Sequence, residues 1–439
     1  MKNQSEDLNG YPLTGGIQEG VDDAAGVRPV IISRRQRTFS SFSNPVFRLY
    51  YGSTLGHMAA MNMQMITRSL LVYRLTGSPA ILGAISLAHA SPMIFLSIFG
   101  GVIADRLHKK HVLIMGQSAS AVVAICVAFA LVLGYLSIDK PGSWWILVVA
   151  SILQGTIMAL MMPSRQTIVA EIVDQGQLMN AVALNSLGMN TCRFMAPALA
   201  GVLIDAFGFE AIYFTMTGLY LTAVLFISAI PLTGTKSIRS ENTFKNLKDG
   251  IQYVRHETTI LLILALTLFA VVLSMPYRAM MPIFADDVLK VGATGMGVLI
   301  SVSGIGAIGG ALFLASRPNK KRGAMLLVSG IILGLALVMF SFSRTWYLSL
   351  ALMLLVGLGQ SGRMTLGNTL LQHYVKSEYR GRVMSLYVME FGLTSLGVFV
   401  AGIMAESIGV QWSVGGLAML FILGFALALV FLPRIRNLD

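Results

Sequence analysis

Cysteine is nearly missing from this chain: Cys126 and Cys192 are the two, both inside apolar stretches. No disulfide framework follows from them, and they leave the redox compartment unreadable. Charge is scarce too, at 12% of residues, where a soluble domain carries about 25%. No G-x-x-x-x-G-K-[ST] loop is present to hold a nucleotide, so uphill work by this chain must draw on an ion gradient. No two histidines have ligand spacing and the cysteines do not cluster, so no metal, no cofactor and no enzymatic activity are expected. Residues 1–44 hold no apolar h-region, and they read as a disordered cytoplasmic tail rather than a signal peptide.

Apolar residues are what the chain has, at 55%, with a mean hydropathy of +0.73. Glycine (44) and methionine (26) are abundant, as suits helices packed closely in lipid. The net charge of +12 sits in short loops flanking hydrophobic spans, which is the positive-inside pattern and not a nucleic-acid face. Twelve spans of about 20 residues or more can be drawn, near 47–72, 79–104, 112–136, 144–170, 179–204, 211–232, 259–284, 294–316, 323–343, 346–372, 382–405 and 411–432. Between the sixth and seventh lies a polar linker, 233–258, with helical apolar spacing from Phe244 to Val254 that predicts an interfacial amphipathic helix. Of the 32 Lys and Arg residues, 23 fall on the side of the termini and four on the other. That bias places both termini in the cytoplasm of a multi-pass protein of the cell (inner or plasma) membrane.

The two halves are related. Val182 to Gly208 aligns without gaps on Val383 to Gly409 at an offset of 201, so that Gly201 falls on Gly402, Asp205 on Glu406 and Gly208 on Gly409. Arg68 and Arg278, near the outer ends of spans 1 and 7, are 210 apart. Such parallel repeats imply an all-α integral membrane protein with two six-helix bundles related by a pseudo-two-fold axis along the membrane normal. The expected units are a tail (1–44), a first bundle (45–232), the linker (233–258), a second bundle (259–432) and a short tail (433–439).

Between spans 2 and 3 stands Gly101-Val-Ile-Ala-Asp105-Arg106-Leu-His-Lys109-Lys110, an acid and three cations in a very short turn. Its spacing resembles the signature loop of the major facilitator superfamily. A degenerate copy follows at Ala315 to Lys321, with Ser316 in place of the acid. Pro163-Ser-Arg165-Gln166 at the end of span 4, Arg193-Phe-Met-Ala-Pro197-Ala-Leu-Ala-Gly201 in span 5, Leu75 to Pro79, and Asn368 to Gln372 with Arg380 to Tyr387 extend the likeness. Together they resemble the twelve-span drug-exporter branch that includes macrolide efflux proteins and the enterobactin exporter. The span-5 block (Arg193, Pro197, Gly201) is similar to the antiporter motif G-P-x-x-G, with Ala196 and Ala200 replacing glycines. The resemblance implies alternating access, and a conformational latch made of Gly101, Asp105, Arg106, Lys109 and Lys110, with Arg106 or Arg165 pairing to Glu171 or Asp174. Read from charge alone, Asp105 can accept hydrogen bonds from the positive amino end of span 11. The alternative is a solvated loop that only sets topology.

Glu390 is the one carboxylate well inside a predicted span, about 12 Å deep at ~1.5 Å per residue. An ionisable group there costs at least about 2.5 kcal/mol unless it meets water or a partner, so it is a candidate proton-coupling residue or else an acid that locks packing. His57 and His89, in spans 1 and 2, are further proton candidates or helix–helix hydrogen-bond partners. Asn62, Gln64, Gln154, Gln360 and Arg363 are the expected cavity residues, and the methionine runs near 58–65 and 158–162 offer a soft wall or simply face lipid. Arginines within the spans leave surplus positive charge, which favours an anionic or zwitterionic substrate. The expected function is proton-coupled export of a small amphipathic compound, drug or siderophore-like, by a monomer in the bilayer. Alternatives are a lysophospholipid or metabolite carrier of the same fold, and a transport-dead membrane sensor or assembly factor.

Overall fold

Asn44 opens the first long helix: its side chain accepts from the Val46 and Phe47 amides, and Pro45 stands at the first helical position. Gly77, at φ 63°, closes the same helix with its N–H on the Tyr73 carbonyl. The computed structural model describes residues 39–140, 142–232, 243–318 and 320–439, with the backbone alone for 97–106 and 243–248. Most of the predicted amino-terminal tail therefore lies outside the described residues, as do the side-chain surroundings of Gly101, Asp105 and Arg106.

The chain runs through α1 (Pro45–Thr76), α2 (Pro79–Arg106), α3 (Lys109–Val132), α4 (Trp145–Ile172), α5 (175–207) and α6 (209–228). After the short α7 (Thr243–His256) come α8 (Thr258–Val288), α9 (Gly292–Ala315), α10 (Arg322–Phe342), α11 (Trp346–Tyr374), α12 (Arg380–Ile408) and α13 (Val410–Phe431). Gly208 (φ 84°) breaks α5 from α6, and Gly409 (φ 83°) breaks α12 from α13. Positive φ suits only glycine without strain, so the repeat in the sequence is a repeat of backbone corners.

By length and composition, nine described stretches can cross a membrane, with 175–228 counted once although it holds two arms. The remaining helices of spanning length are α1, of 32 residues, and α11, of 29. They are less apolar because they carry His57, Asn62, Gln64 and Arg68, or Gln360 and Arg363. All of these are buried or part-buried, so the polar cost falls on the interior and not on the lipid face. The chain is a multi-pass membrane protein.

Within each half, backbones approach closely at glycine. Gly155 on α4 faces the His89 carbonyl of α2, and Gly357 on α11 faces the Ser303 carbonyl of α9. Two seams join the halves, α2 against α12 and α5 against α9. On the first, Gly402 meets the Pro79 carbonyl and Gly83 the Phe399 backbone; on the second, Gly201 meets the Ala293 carbonyl and Gly297 the Pro197 carbonyl. The α5–α9 seam is closed from the Gly201 end down to Phe194, whose carbonyl accepts from Ser301 and whose side chain abuts Gly304. Further along, a Cβ on Gly309 would meet nothing, and Leu187, Ile308 and Leu312 are exposed. The helices therefore diverge toward the face that carries α7, called here the linker face.

The linker helix forms where the apolar spacing predicts one and docks on the second half. Arg382 pairs with Asp249 at 3.5 Å, the Tyr253 ring stacks on Tyr379 at 4.2 Å, and the Lys376 amide donates to the Tyr253 hydroxyl at 3.3 Å. Residues 433–439, expected as a tail, fold back against the start of α10: Ile435 is buried, and the Gly323 amide donates to the Leu438 carbonyl at 2.9 Å.

Candidate functional site

Three of the four polar side chains that make α1 a poor lipid helix converge on a cavity of about 350 Å³ between the halves. Asn62, Gln64 and Arg68 of α1, His89 of α2, and Gln154 of α4 line it from the first half; Arg278 of α8 and Phe391 and Thr394 of α12 line it from the second. Met61, Met65, Met93, Met158, Met275 and Met296 supply much of the apolar wall, a surface able to adapt to varied shapes. Two of the expected cavity residues stand elsewhere. Gln360 sits behind the wall, its amide on the sulfurs of Met275 (3.3 Å) and Met364 (3.7 Å), and Arg363 is fully buried inside the second half.

Local structure explains how the lining side chains are aimed. Asn62 donates back to the Met58 carbonyl at 2.7 Å. Gln64 accepts from the Tyr220 hydroxyl at 3.2 Å, and Gln154 donates to Ser120 at 3.2 Å. Arg278 lies where α8 bends between Ser274 and Tyr277, at Pro276, and proline breaks a helix there by removing a backbone donor. Its Nε reaches the neighbouring Tyr277 hydroxyl at 3.2 Å. Arg68 touches Ser151 Oγ at 3.5 Å, and His89 Nδ1 lies 3.2 Å from the Ser151 carbonyl. His89 thus turns toward α4 in its own half, not toward Glu390. His57 is buried against Tyr220, its ring nitrogens without a partner.

Glu390 is 5% exposed and sits one residue from Phe391, just behind the cavity wall. Its Oε1 lies 3.0 Å from Thr267 Oγ1 of α8, and its Oε2 has no partner. Thr267 Oγ1 is also 3.0 Å from the Ile263 and Leu264 carbonyls. A hydroxyl has one proton to donate. Either the threonine gives it to an ionised Glu390, or it gives it back to its own helix and a protonated Glu390 donates instead. Arg363 lies within electrostatic reach of Glu390, Tyr387 and Tyr277, and none of its three guanidinium nitrogens has a hydrogen-bond partner. Thr267 carries no sequence signal: a threonine in an apolar helix commonly bonds its own backbone, and only tertiary placement sets it opposite Glu390.

The expected latch residues are only partly brought together. Lys109 pairs with Glu171, and Lys110 Nζ donates to the Ile230 carbonyl. Arg165, which the resemblance offered as a partner for Glu171, is instead buried with its Nη2 on the Met161 sulfur at 3.8 Å and Nε and Nη1 unpartnered. Of the span-5 block, Pro197 and Gly201 pack on α9 across the seam, while Arg193 stands close enough to Arg278 for the two charges to repel. On the face away from the linker lies a second set of contacts that sequence reading did not assign a role. Asp205, at the end of α5, accepts from the Ala293 and Thr294 amides at 3.3 and 2.7 Å. Glu406, 201 residues on in α12, accepts from the Ser78 hydroxyl at 2.7 Å and the Ala80 amide at 3.1 Å. Each carboxylate from one half clasps the first amides of a helix in the other. Arg74 also pairs with Asp286 at 2.9 Å, and the Tyr73 hydroxyl donates to Asp287.

Residues 36–439 match the sequence profile of the family described as transmembrane secretion effector, MFS_3. The chain is 25% identical to a staphyloferrin A transporter of Staphylococcus aureus, over 84% of this chain and 90% of that protein. It is 24% identical to the multidrug efflux pump Tap of Mycolicibacterium fortuitum, over 84% and 91% respectively. Among solved structures, a bacterial homologue of the human lysosomal transporter Spinster, in an inward-facing and occupied conformation, superposes with a TM-score of 0.70 over 91% of this chain and 97% of that one, at 13% identity. These relatives are transporters and not enzymes. The chain belongs to the transmembrane secretion effector family of the major facilitator superfamily, and is a membrane transporter.

Proposed function

We propose that this transporter exports a small amphipathic compound, drug or siderophore-like, in exchange for protons by alternating access. It would work as a monomer in the cell membrane, with both termini and the linker face in the cytoplasm. The observation that carries the reading is a cavity enclosed by both halves with a buried carboxyl, Glu390, immediately behind its wall. The efflux functions of the relatives, multidrug efflux by Tap and export of enterobactin by a protein of Shigella boydii that is 23% identical, support its direction. The excess of Lys and Arg on the linker face supports its orientation.

In this reading the cargo enters from the cytoplasm between the diverging ends of α5 and α9. The clasps of Asp205 and Glu406, with the Arg74–Asp286 pair, hold the opposite face shut. When they part, the linker face closes and Asp105, with Gly101, Arg106 and the Lys109–Glu171 pair, latches it through the amino end of α12. Proton exchange at Glu390 changes which group Thr267 donates to. Loss of the proton leaves a carboxylate within electrostatic reach of the unpartnered guanidinium of Arg363, so Arg363 serves as the counter-charge of the coupling site. His89, on the cavity wall, is a second proton carrier on the cargo side, and His57 stands deeper in the same half.

The experiment is gradient-driven flux in proteoliposomes. A proton gradient is expected to drive uptake of a small amphiphile, tested with anionic, zwitterionic and cationic probes (rhodamine 6G as the cationic one), into inside-out-oriented vesicles, and Glu390→Gln to abolish the gradient dependence while facilitated exchange survives. Flux with unchanged proton coupling in Glu390→Gln removes Glu390 from the mechanism. No flux of any amphiphile, with the protein intact, leaves a sensor or assembly role in its place.

A further inference from the structure

We infer that the central cavity takes an organic anion bearing two acid groups, one held by Arg68 of the first half and the other by Arg278 of the second. The inference rests on the transport reading for its purpose, but the chemistry is in the wall itself. Among the described residues lining the cavity no aspartate or glutamate occurs, and the ionisable side chains are Arg68, Arg278 and His89. Both arginines are part-buried and both keep most of their donors free. Arg68 has one long contact to a serine hydroxyl at 3.5 Å, and Arg278 has one bond to the adjacent tyrosine at 3.2 Å. Neither forms an ion pair with a described carboxylate.

A guanidinium carries five N–H donors in a planar fork that matches a carboxylate. Two such part-buried forks on one cavity wall, without counter-ions, are costly unless the ligand supplies the anions. A neighbouring cation sharpens the demand at one of the forks: Arg278 lies within electrostatic reach of Arg193, so an acid group there relieves a positive field. The sealed arginines, Arg165 and Arg363, contrast with this pair because neither lines the cavity. Arg68 and Arg278 are 210 residues apart and occupy related places in the two repeats. A dianion would therefore bridge the two moving bodies symmetrically. The methionines and Phe391 fit the apolar body between the acids, and about 350 Å³ lies at the lower end of the 300–1,000 Å³ range typical of ligand pockets.

The test is isothermal titration of the purified full-length transporter with one naphthalene body in three forms: the 2,6-dicarboxylate, the 2-monocarboxylate and the 2,6-dicarboxamide, with rhodamine 6G as the cationic comparison. The dicarboxylate is expected to bind about tenfold or more tightly than the monocarboxylate, as loss of one charge-assisted contact predicts, and the dicarboxamide not to bind measurably. Arg68→Gln and Arg278→Gln should each bring dicarboxylate affinity down to about that of the monocarboxylate, with partial recovery in Arg68→Lys and Arg278→Lys. Equal affinity across the three forms, preference for rhodamine 6G, no binding of any form, or full affinity in both glutamine variants overturns the inference. The wild-type ranking alone decides it if a variant does not fold. Vesicle flux separates the two readings: gradient-driven movement of rhodamine 6G that is indifferent to Arg68 and Arg278 keeps the transport reading and ends this one. A dicarboxylate preference in titration without any flux does the reverse.

Discussion

Removing both carboxylate clasps should tip the conformational equilibrium. Asp205→Asn with Glu406→Gln keeps the size of each side chain but removes the charge that faces the first amides of α9 and α2. A hydrogen bond to a charged group contributes about 1.5–3 kcal/mol. Both carboxylates are solvent-exposed, and the amide keeps one acceptor oxygen, so a value near 1 kcal/mol per clasp is appropriate. The clasps lie on different seams, and distant sites add. Together they amount to about 2 kcal/mol, or roughly a 30-fold shift toward the state open on the face opposite the linker. The assay places a single cysteine at Ala279, which lines the cavity, in a chain with Cys126→Ser and Cys192→Ser. Labelling by a membrane-impermeant maleimide is then timed from each face. The double variant should label roughly 30-fold faster from the face opposite the linker and more slowly from the linker face, with each single variant near the geometric mean. Unchanged rates from both faces in a folded double variant would refute the clasp argument.

Other perturbations test separate parts of the molecule. Gly357→Val forces a branched side chain onto the Ser303 carbonyl, and overpacking of about 1–3 kcal/mol should lower the thermal midpoint in detergent by several degrees; an unchanged midpoint means that the α9–α11 approach is looser than described. Arg382→Ala should loosen α7 from the base of α12, raising proteolysis of residues 233–258 while costing under about 1 kcal/mol of global stability, because the pair is part-exposed. Asp105→Asn is expected to reduce turnover more than cargo affinity, and equal turnover would leave the first loop a topology signal. Thr267→Val keeps shape but removes the hydroxyl that faces Glu390, and should weaken proton coupling without altering the dicarboxylate affinity measured by titration.

Much of this architecture was legible as periodicity and arithmetic. Lipid demands that each span satisfy its own backbone, so about 20 apolar residues suffice to mark a helix, and an offset of 201 suffices to mark a repeat. The positive φ at both Gly208 and Gly409 is the physical content of that offset. The cavity was legible in part: Asn62, Gln64 and Gln154 reach it because polar groups on a span avoid lipid, and Met61, Met65 and Met158 of the methionine runs line it beside them. The same rule misplaced Gln360 and Arg363, since avoiding lipid does not distinguish a cavity wall from the inside of a bundle. Rotation about the helix axis decides that, and neighbouring helices set the rotation.

The sequence by itself therefore determined the membrane class, the helical spans, the duplicated halves and the family likeness, because these depend on local composition and on spacing along the chain. Tertiary structure alone decided which side chains share a space. It set Thr267 beside Glu390 and Arg363 within electrostatic reach of it, gave Glu171 to Lys109 instead of Arg165, and turned Asp205 and Glu406 into clasps on helices 88 to 328 residues distant. These pairings join residues far apart in the chain through packing geometry, which leaves no periodic trace in the sequence that it folds.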